Sequence, residues 1–457
     1  MRLFSRRKGV ISDMFSIPQQ TQAADCAVSG KMRSAVGLWA RMFEGQAPWL
    51  DDTTRSLELP AAIAAEVARL TTVELESAVE GSGERAAFLQ DEYSRVLDNL
   101  TNIVEYACAG GGLILKPCCD GANMYVDAVE AWRFVPTGWN SRRELTGAVF
   151  SEQLVKGREI FTRLERHELT EAGYRIRNEA YRSHTRGQLG RLCPLSAVPE
   201  WAELEDETLL CYRDGSVPER MLFAYFRLPL ANAVDPTSPL GVSVYSRATG
   251  LIEQADKQYS RILWEYEGSE LAVDASYGAL RAQSENGTAL RLPERQKRLF
   301  RQLALDHGQN GDLYEVFSPA IRDQSLFNGL DKLLKRIEFN CCLAYGTLSD
   351  PQNTDKTAEE IRAGKQRSYA MVCAVQHELQ KALEQLVWAM DFYTSLYALA
   401  PAGDYELRFS WGDGILEDSD KEFAHRAQMV EQGILRPEKL LSWYFGVSEE
   451  QARELIP

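Results

Sequence analysis

The sequence has few of the residues from which metal sites and disulfide frameworks are built. Its 457 residues include nine cysteines and five histidines. The cysteines include the adjacent pairs Cys118-Cys119 and Cys341-Cys342, and no two have the C-x-x-C spacing of many zinc sites. The histidines are scattered without a common spacing: His167, His184, His307, His377 and His425. We therefore predict reduced, mostly buried thiols, no bound metal and no cofactor.

The sequence also lacks long hydrophobic runs and an excess of positive charge. No apolar stretch approaches the roughly 18 residues of a membrane-spanning helix, so we expect no membrane partner. The basic start, MRLFSRRK, is not followed by an apolar segment and is predicted to be a peripheral arm rather than a secretory signal. The net charge of −15 argues against gripping nucleic acid over the whole surface, but an acidic wall would let nucleic acid pass without sticking.

Catalytic motifs are missing as well. The sequence contains neither G-x-S-x-G nor H-E-x-x-H. The stretch Ala109-Gly-Gly-Gly-Leu lacks the Lys-Ser/Thr ending of a phosphate loop and is predicted to turn into a strand. Asp413-Gly-Ile-Leu-Glu-Asp lacks the glycine of a calcium loop and is predicted to cap a helix. His167, between the charged Arg166 and Glu168, is predicted to lie at the surface. We expect no catalytic residues and no enzymatic activity.

What the sequence does contain is a change of period along the chain, which predicts an α+β protein. Residues 14–109 are mostly helical in pattern, and residues 87–108 are predicted to form one amphipathic helix. Residues 110–228 hold short runs with strand character. Their separators contain Asp120-Gly121, Gly138 and Gly157, which predicts an antiparallel meander.

Two predicted helices then bracket a small α/β insert. The outgoing helix covers residues 242–267, and the insert holds strands near residues 271–273 and 312–317 around a basic helical segment, residues 293–301. Positive side chains stand out there in an otherwise acidic chain: Arg291, Arg295, Lys297, Arg298 and Arg301. They indicate either contact with an acidic partner or a solvated helix face.

The returning helix, residues 325–346, leads through a polar loop into a far longer helix. Thr357-x-x-Glu360 is a capping box, and no proline follows before Pro401, so the long helix is predicted to span roughly 60 Å. Gly364 inside it permits a kink. A strand over residues 405–411 and helices over residues 419–432 and 437–456 complete the chain. A helix of this reach suits a strut in an assembly better than the wall of a catalytic pocket.

This order of elements resembles that of tailed-bacteriophage portal proteins, in the branch found in phages that infect Gram-positive bacteria. Local sequences are similar too. Ala131-Trp-Arg-Phe-Val-Pro-Thr-Gly-Trp-Asn resembles the family's stretch before the wing hairpins, and Asp355-Lys-Thr-Ala-Glu-Glu-Ile resembles the segment that opens its long helix. Trp411-Gly-Asp-Gly-Ile-Leu-Glu-Asp, Val430-Glu-Gln-Gly-Ile-Leu and Phe445-Gly-Val-Ser-Glu-Glu-Gln-Ala resemble the region that leads into its crown. The likeness spans most of the chain.

The resemblance implies a portal-type fold with a mainly helical wing and crown, antiparallel wing hairpins, and two stem helices that flank a small α/β clip. The implied regions are a wing over residues 1–241, stem helices over 242–268 and 325–346, a clip over 269–324, a tunnel loop over 347–358, a long wing helix and strand over 359–411, and a crown over 412–457.

The resemblance also implies a function and partners. Portal proteins form a ring, usually dodecameric, at one capsid vertex, where double-stranded DNA is packaged and ejected. The implied partners are further copies of the chain, a terminase motor, a head-tail adaptor, and the major capsid and scaffolding proteins. The implied location is the virion, with the host cytoplasm during assembly.

The implied tunnel loop avoids bulky apolar groups, as a surface that DNA must slide past should. Its predicted DNA-facing residues are Ser349, Gln352, Asn353, Thr354, Asp355 and Lys356. An ordinary surface loop between two helices remains the alternative for this segment. For the whole chain the alternatives are another virion structural or adaptor protein, or an enzyme whose site no motif reveals.

Overall fold

The computed structural model describes residues 28–119, 123–185, 187–269, 320–350, 358–412, 426–430, 432–445 and 453, together with three strands between residues 272 and 317. For those three strands and for residues 358–365, the description covers the backbone alone. The predicted mixed α+β class is confirmed, because helices at both ends of the chain enclose antiparallel sheets.

Helices form most of the described residues between 28 and 110, and apolar residues at helical spacing explain why. They are α1 (Gly30–Phe43), α2 (Leu59–Thr72), α3 (Glu84–Leu97) and α4 (Leu100–Gly110). The prediction of one helix over residues 87–108 is wrong, because Asn99 leaves helical geometry and separates α3 from α4. The break lets α3 pack on a strand and α4 pack on α2, which one straight helix would not do.

Two antiparallel sheets follow, as the meander prediction expected. The smaller has the order β10-β2-β3, and the larger has the order β4-β5-β6-β7-β8, with β9 also paired to β7. The strands are β2 (Gly112–Cys119), β3 (Met124–Glu130), β4 (Phe134–Trp139), β5 (Leu145–Lys156), β6 (Glu159–Thr170), β7 (Gly173–Ser183), β8 (Arg191–Cys193), β9 (Glu207–Leu210) and β10 (Ala224–Arg227); β1 (Glu76–Glu80) belongs to a third sheet. Gly157 makes the β5–β6 turn with a φ of 64°, but Gly138 lies inside β4 beside a register shift, so it is not a separator.

The glycine-rich stretch turns α4 into β2, as predicted. Gly111 ends the helix with a φ of 88°, which favours glycine. A Cβ on Gly111 would lie 2.6 Å from the backbone of Val242, and one on Gly241 would lie 2.0 Å from the Gly111 carbonyl oxygen. The two glycines therefore let the start of β2 approach the chain that leads into the next helix.

Two antiparallel helices bracket a small sheet. They are α5 (Thr249–Gly268) and α6 (Asp323–Asn340), and the sheet consists of β11 (Ala272–Ser276), β12 (Phe300–Leu303) and β13 (Tyr314–Phe317). The predicted helix starts too early, because the buried Val242, Val244 and Tyr245 belong to an irregular segment packed into the core. The predicted end of the second helix at residue 346 is also wrong, since the chain turns after Asn340.

Polar contacts join α5 and α6 along their length. Arg322 makes two hydrogen bonds to the carboxylate of Glu265, at 3.0 and 2.7 Å. One turn further on, the Gln258 side chain donates to the Leu326 carbonyl at 3.1 Å, and at the far end Asn340 donates to the Arg247 carbonyl at 3.3 Å. These contacts fix the register of the pair.

The long helix is present as predicted: α7 (Ala358–Tyr397) has 40 residues. Its inner face carries fully buried apolar side chains, among them Val375, Leu379, Leu383 and Leu386. The buried Arg85 of α3 holds its C-terminal end by donating to the Asp391 carboxylate, the Ser395 hydroxyl, and the carbonyls of Ala400 and Pro401. This cation at the helix C-terminus satisfies carbonyl groups that lack helical partners.

After α7, strand β14 (Glu406–Ser410) pairs antiparallel with β1. Helix α8 (Pro437–Phe445) lies within the predicted helix over residues 437–456. One hydrophobic core joins the N-terminal helices, the β10-β2-β3 sheet, α5, α6 and α7. The chain is therefore a continuous body from which the far end of the α5–α6 pair and its inserted sheet extend.

Candidate functional site

The most ordered polar arrangement near a predicted functional segment lies at the C-terminal end of α6. We call it the loop base: Glu338, the turn of residues 341–349, and the side chains of Arg367 and Ser368 on α7. Most of the residues for which the sequence predicts a DNA-facing loop follow this turn in the chain and lie outside the described residues. The loop base is therefore the described arrangement next to that segment in the chain.

Glu338 is fully buried, although it lies on a helix whose outer face is charged. Its Oε1 accepts hydrogen bonds from the backbone N–H groups of Gly346 at 3.1 Å, Leu348 at 2.7 Å and Ser349 at 2.8 Å. Its Oε2 accepts from the Ser349 hydroxyl at 2.9 Å. Four donors on one carboxylate are enough to replace its hydration, so the charge can be buried here.

The backbone of the turn is shaped to bring those donors together. Cys342 has a φ of 59° and Gly346 a φ of 91°, so the chain enters the left-handed region twice within five residues. The Leu343 N–H donates to the Glu338 carbonyl at 2.9 Å, which closes the helix end. Glu338 thus binds the turn through both its backbone and its side chain.

The start of α7 contacts the same turn from the other side. The Arg367 guanidinium lies over the Phe339 ring, 4.3 Å from its centroid, and 5.8 Å from the centroid of Tyr345. The Ser368 hydroxyl donates to the Cys342 carbonyl at 3.1 Å. The third turn of α7 is therefore attached to the turn that follows α6.

The predicted site residues have different outcomes. Ser349 lies in the loop base, where it is 4% exposed and its hydroxyl is bound to Glu338, so its DNA-facing role stays a prediction that this burial does not favour. The other predicted loop residues lie outside the described residues: Gln352, Asn353, Thr354, Asp355 and Lys356. Four basic residues of the insert also lie outside them: Arg291, Arg295, Lys297 and Arg298.

Of the five basic residues predicted to contact a partner, Arg301 is the one that is described. It belongs to β12, which pairs parallel with β11, so the predicted basic helix over residues 293–301 is wrong at its end. The cause is that a short apolar and basic segment fits either a helix face or an edge strand, and pairing with β11 decides between them. A role in contacting a partner remains a prediction for all five basic residues.

The α5–α6 pair exposes an unusual share of the apolar surface. Of the thirteen large hydrophobic side chains exposed in the described part of the chain, six lie on this pair or in its flanking turns. They are Trp264, Tyr266, Ile321, Phe327, Phe339 and Tyr345. Trp264 is 67% exposed. Clustered exposed aromatic residues mark a surface that another molecule covers.

A buried ionic cluster lies elsewhere, between the two sheets. The carboxylate of Glu165 on β6 is 2.6 Å from the Lys116 ammonium on β2, 2.9 Å from the Arg163 guanidinium, and 2.6 Å from His167 Nε2. Nδ1 of His167 lies 2.7 Å from the Tyr174 hydroxyl. The predicted surface position of His167 is wrong, because the rings of Phe150, Tyr174 and Phe223 pack against its imidazole and leave it fully buried.

Burial and charge set the protonation of this cluster. Burial alone would raise the pKa of Glu165, but the charges of Lys116 and Arg163 outweigh it and hold that pKa well below its usual value. Burial lowers the pKa of His167, which its bond to Glu165 only partly offsets. A charged carboxylate between two cations, sealed from solvent, is suited to joining sheets rather than to exchanging protons with a substrate.

The described residues offer no other chemistry of the kind that metals or disulfides provide. No group of three or more His, Cys, Asp and Glu side chains within them is placed to hold a metal ion. None of the eight described cysteines takes part in a disulfide. Sequence analysis missed Glu338 and Arg367 because neither belongs to a motif.

Among the described helices, none combines the length and the apolar character needed to cross a membrane.

Comparison with known proteins gives a family. The model described as "Phage portal protein, SPP1 Gp6-like" matches residues 82–456, most of the chain. The class is therefore that of the phage portal proteins, which are structural components of the virion. Within that class, the chain belongs to the SPP1 Gp6-like portal family, which confirms the resemblance inferred from the order of elements.

Two further comparisons add less. No curated protein gives a significant match. Among solved structures, a chain of the "Neck of native GTA particle computed with C12 symmetry" is similar over 91% of this chain and 94% of that one, with 12% sequence identity and a TM-score of 0.46. This similarity is too low to support a conclusion about this chain.

Proposed function

We propose that this portal protein forms a dodecameric ring at one capsid vertex and provides the channel for packaging and ejecting double-stranded DNA. The observation that carries the ring is the exposed apolar surface of the α5–α6 pair. Trp264, Tyr266 and Phe327 are exposed in the single chain, although aromatic side chains of this size are normally covered. A neighbouring copy that meets the same pair would cover them.

The proposed regions follow the family order. The wing comprises residues 1–241 and 359–411, the stem comprises α5 and α6, the clip comprises residues 269–324, and the crown comprises residues 412–457. The tunnel loop comprises residues 347–358, with the loop base at its flanks. What supports this assignment is that two antiparallel helices enclose a separate small sheet, and that the second helix leads through one turn to the 40-residue α7.

The charge of the chain supports a conduit rather than a DNA-binding protein. A net charge of −15 in each copy would make the ring strongly acidic, and an acidic channel wall repels phosphates and keeps DNA mobile. The protein itself would be no enzyme, and the ATP-driven step would belong to a terminase motor that docks on the clip. We further propose a head-tail adaptor, the major capsid protein and scaffolding protein as partners, and assembly in the host cytoplasm.

The ring proposal is tested by native mass spectrometry and negative-stain electron microscopy of the full chain. We expect closed rings with a central hole from the wild type and a lower ring yield from Trp264→Glu, because a charge would have to be buried between copies. Leu192→Glu is the matched control: Leu192 is 68% exposed on β8, away from the helix pair, and its variant should form rings normally. A wild-type chain that stays monomeric even with its capsid partners would contradict the proposal.

The conduit proposal needs a separate test. Capsids assembled with the wild-type chain and a terminase should protect DNA from nuclease, whereas capsids assembled with Trp264→Glu should stay empty. Nuclease-protected DNA in capsids that lack the chain altogether would show that DNA enters by another route.

A further inference from the structure

We propose that Glu338 is a positioning residue that fixes the path of the chain as it leaves α6 through the turn of residues 341–349, and that Arg367 and Ser368 attach this turn to α7. The inference rests on the proposed function, because those residues flank the proposed tunnel loop. It goes further by assigning the loop's placement to one buried carboxylate and to its two neighbours on α7.

Glu338 binds mainly the backbone of the turn. Three of its four donors are backbone N–H groups, those of Gly346, Leu348 and Ser349. A carboxylate that binds other side chains leaves the backbone free to move, but one that binds successive amides fixes the path of the chain itself. Ser349 is the next-to-last described residue before residues 351–357, so the path is fixed through the first part of the proposed tunnel loop.

The hydrogen bonds that Glu338 accepts are cooperative. Glu338 is fully buried, and the Ser349 side chain that it binds is nearly so. If the turn shifted, the carboxylate and several amides would lose their hydrogen bonds together, and a buried charge without donors is very unfavourable. The loop base therefore has one favoured arrangement rather than a continuous range.

The turn is connected to both α6 and α7. Glu338 lies within the last turn of α6, and the Leu343 N–H also binds its carbonyl. Across the turn, the Ser368 hydroxyl holds the Cys342 carbonyl, and Arg367 covers the Phe339 ring. A rotation of α6 would therefore carry the turn, and with it the start of α7, so that the loop follows the stem.

The test uses the full chain assembled as rings. Glu338→Gln keeps the size of the side chain but removes its charge, and leaves a neutral carbonyl oxygen to accept from the three backbone N–H groups while its NH₂ group meets the Ser349 hydroxyl. Hydrogen exchange followed by mass spectrometry should show the amides of residues 346–349 exchanging about tenfold faster or more, because a neutral oxygen is a weaker acceptor than a carboxylate. Ring mass should be unchanged, and the rate of DNA packaging per ring should fall several-fold, as measured at saturating ATP.

Asp256→Asn provides the matched control. Asp256 is a buried carboxylate on α5 that accepts from the Trp49 indole and the Leu57 backbone, both at 2.8 Å, far along the chain from the loop base. Its loss should lower thermal stability without changing exchange at residues 346–349. Should Glu338→Gln fail to fold, Ser349→Ala removes one of the four bonds and should produce the same changes on a smaller scale.

Two results would overturn the inference. One is unchanged exchange at residues 346–349 in Glu338→Gln rings. The other is faster exchange with packaging equal to the wild type, which would reduce Glu338 to a stabilising role. Failure of the proposed function looks different, since wild-type rings would then not form or would not support packaging at all.

Discussion

Glu165 and Glu338 are both buried carboxylates, but they are held in opposite ways. Glu165 is bound by charged and ionisable side chains, and its pair with Lys116 joins β6 of the larger sheet to β2 of the smaller one. Glu338 is bound by neutral donors, all within eleven residues of it in the chain. The first carboxylate joins distant parts of the fold, and the second shapes a single turn.

The two carboxylates therefore contribute different things: Glu165 stabilises the fold, and Glu338 positions a turn. Removing Glu165 would take the ion pair from the buried Lys116 and one carboxylate partner from Arg163, which also binds Glu152, so the cost falls on the whole fold. Removing the Glu338 charge leaves polar N–H groups at a part-buried turn that water can reach, so the cost is local. A buried glutamate thus stabilises the whole fold in one region and fixes the backbone path of a turn in the other.

The largest expected effect comes from Glu165→Gln. It should lower the free energy of unfolding by about 3–5 kcal/mol, because the buried Lys116 loses its ion pair and Arg163 loses one of its two described carboxylate partners. Urea unfolding of the full chain measures it. Glu168→Gln, three residues along the same strand, is the control: Glu168 pairs with Arg166 at a partly exposed position and should cost less than about 1 kcal/mol. Equal losses in the two variants would remove the distinction between buried and exposed pairs.

The next effect is a pH dependence confined to the ionic cluster. Burial holds the pKa of His167 below its usual value, so the folded state stays neutral there while the unfolded state takes up a proton below about pH 6.5. Stability should therefore fall as the pH drops from about 7 to 5, with a slope approaching about 1.4 kcal/mol per pH unit for this one proton. The lowered pKa of Glu165 adds a loss in the same direction at still lower pH.

The pH effect is measured by urea unfolding at several pH values in the wild type and in His167→Gln, which retains hydrogen-bonding atoms but does not titrate. The variant should show a flatter profile. His377→Gln, at an exposed position on α7, is the control and should leave the slope as it is. An identical slope in the wild type and in His167→Gln would show that the cluster is not the source.

Ser349→Ala should have a smaller effect, about 1 kcal/mol, because one hydrogen bond to Glu338 is lost while the three backbone bonds remain. The loss should appear as local opening in hydrogen exchange at residues 346–349, with little change in the global unfolding midpoint. A loss in the free energy of unfolding as large as that of Glu165→Gln would show that the loop base stabilises the whole fold.

The smallest effect is expected from Arg367→Gln, about 0.5–1 kcal/mol, because a part-exposed cation–π contact with Phe339 is lost. Hydrogen exchange of the amides of α6 and α7, followed as the temperature rises, measures this loss of stability. Arg69→Gln, which breaks an exposed pair with Glu66 on α2, provides a control whose effect should stay within α2.

Much of the fold was predictable because its signals are local. The apolar spacing of α6 and α7 and the turn at Gly157 each depend on a few neighbouring residues, and those predictions were right. His167 was placed at the surface because its neighbours Arg166 and Glu168 are charged. Its burial depends on Phe150 of β5 and on Phe223, which no short window around His167 contains.

The loop base illustrates the same limit more sharply. In the sequence, Glu338 looks like one of several charged residues on an amphipathic helix, and Ser349 looks like a polar loop residue. Their partnership exists only because Cys342 and Gly346 reverse the chain through positive φ values. A glycine in that position was visible in the sequence, but a cysteine in the left-handed region was not, because Cys342 carries no turn preference of its own.

The length of α7 turns small angles into large displacements. Its 40 residues correspond to a rod of about 60 Å, held at its C-terminal end by Arg85 and in contact with the loop base near its N-terminal end. A tilt of about 5° around the Arg85 end would move Arg367, roughly 45 Å away along the helix, by about 4 Å. A small change of angle at the C-terminal end of α7 would therefore become a displacement of several ångströms where Arg367 and Ser368 contact the loop base.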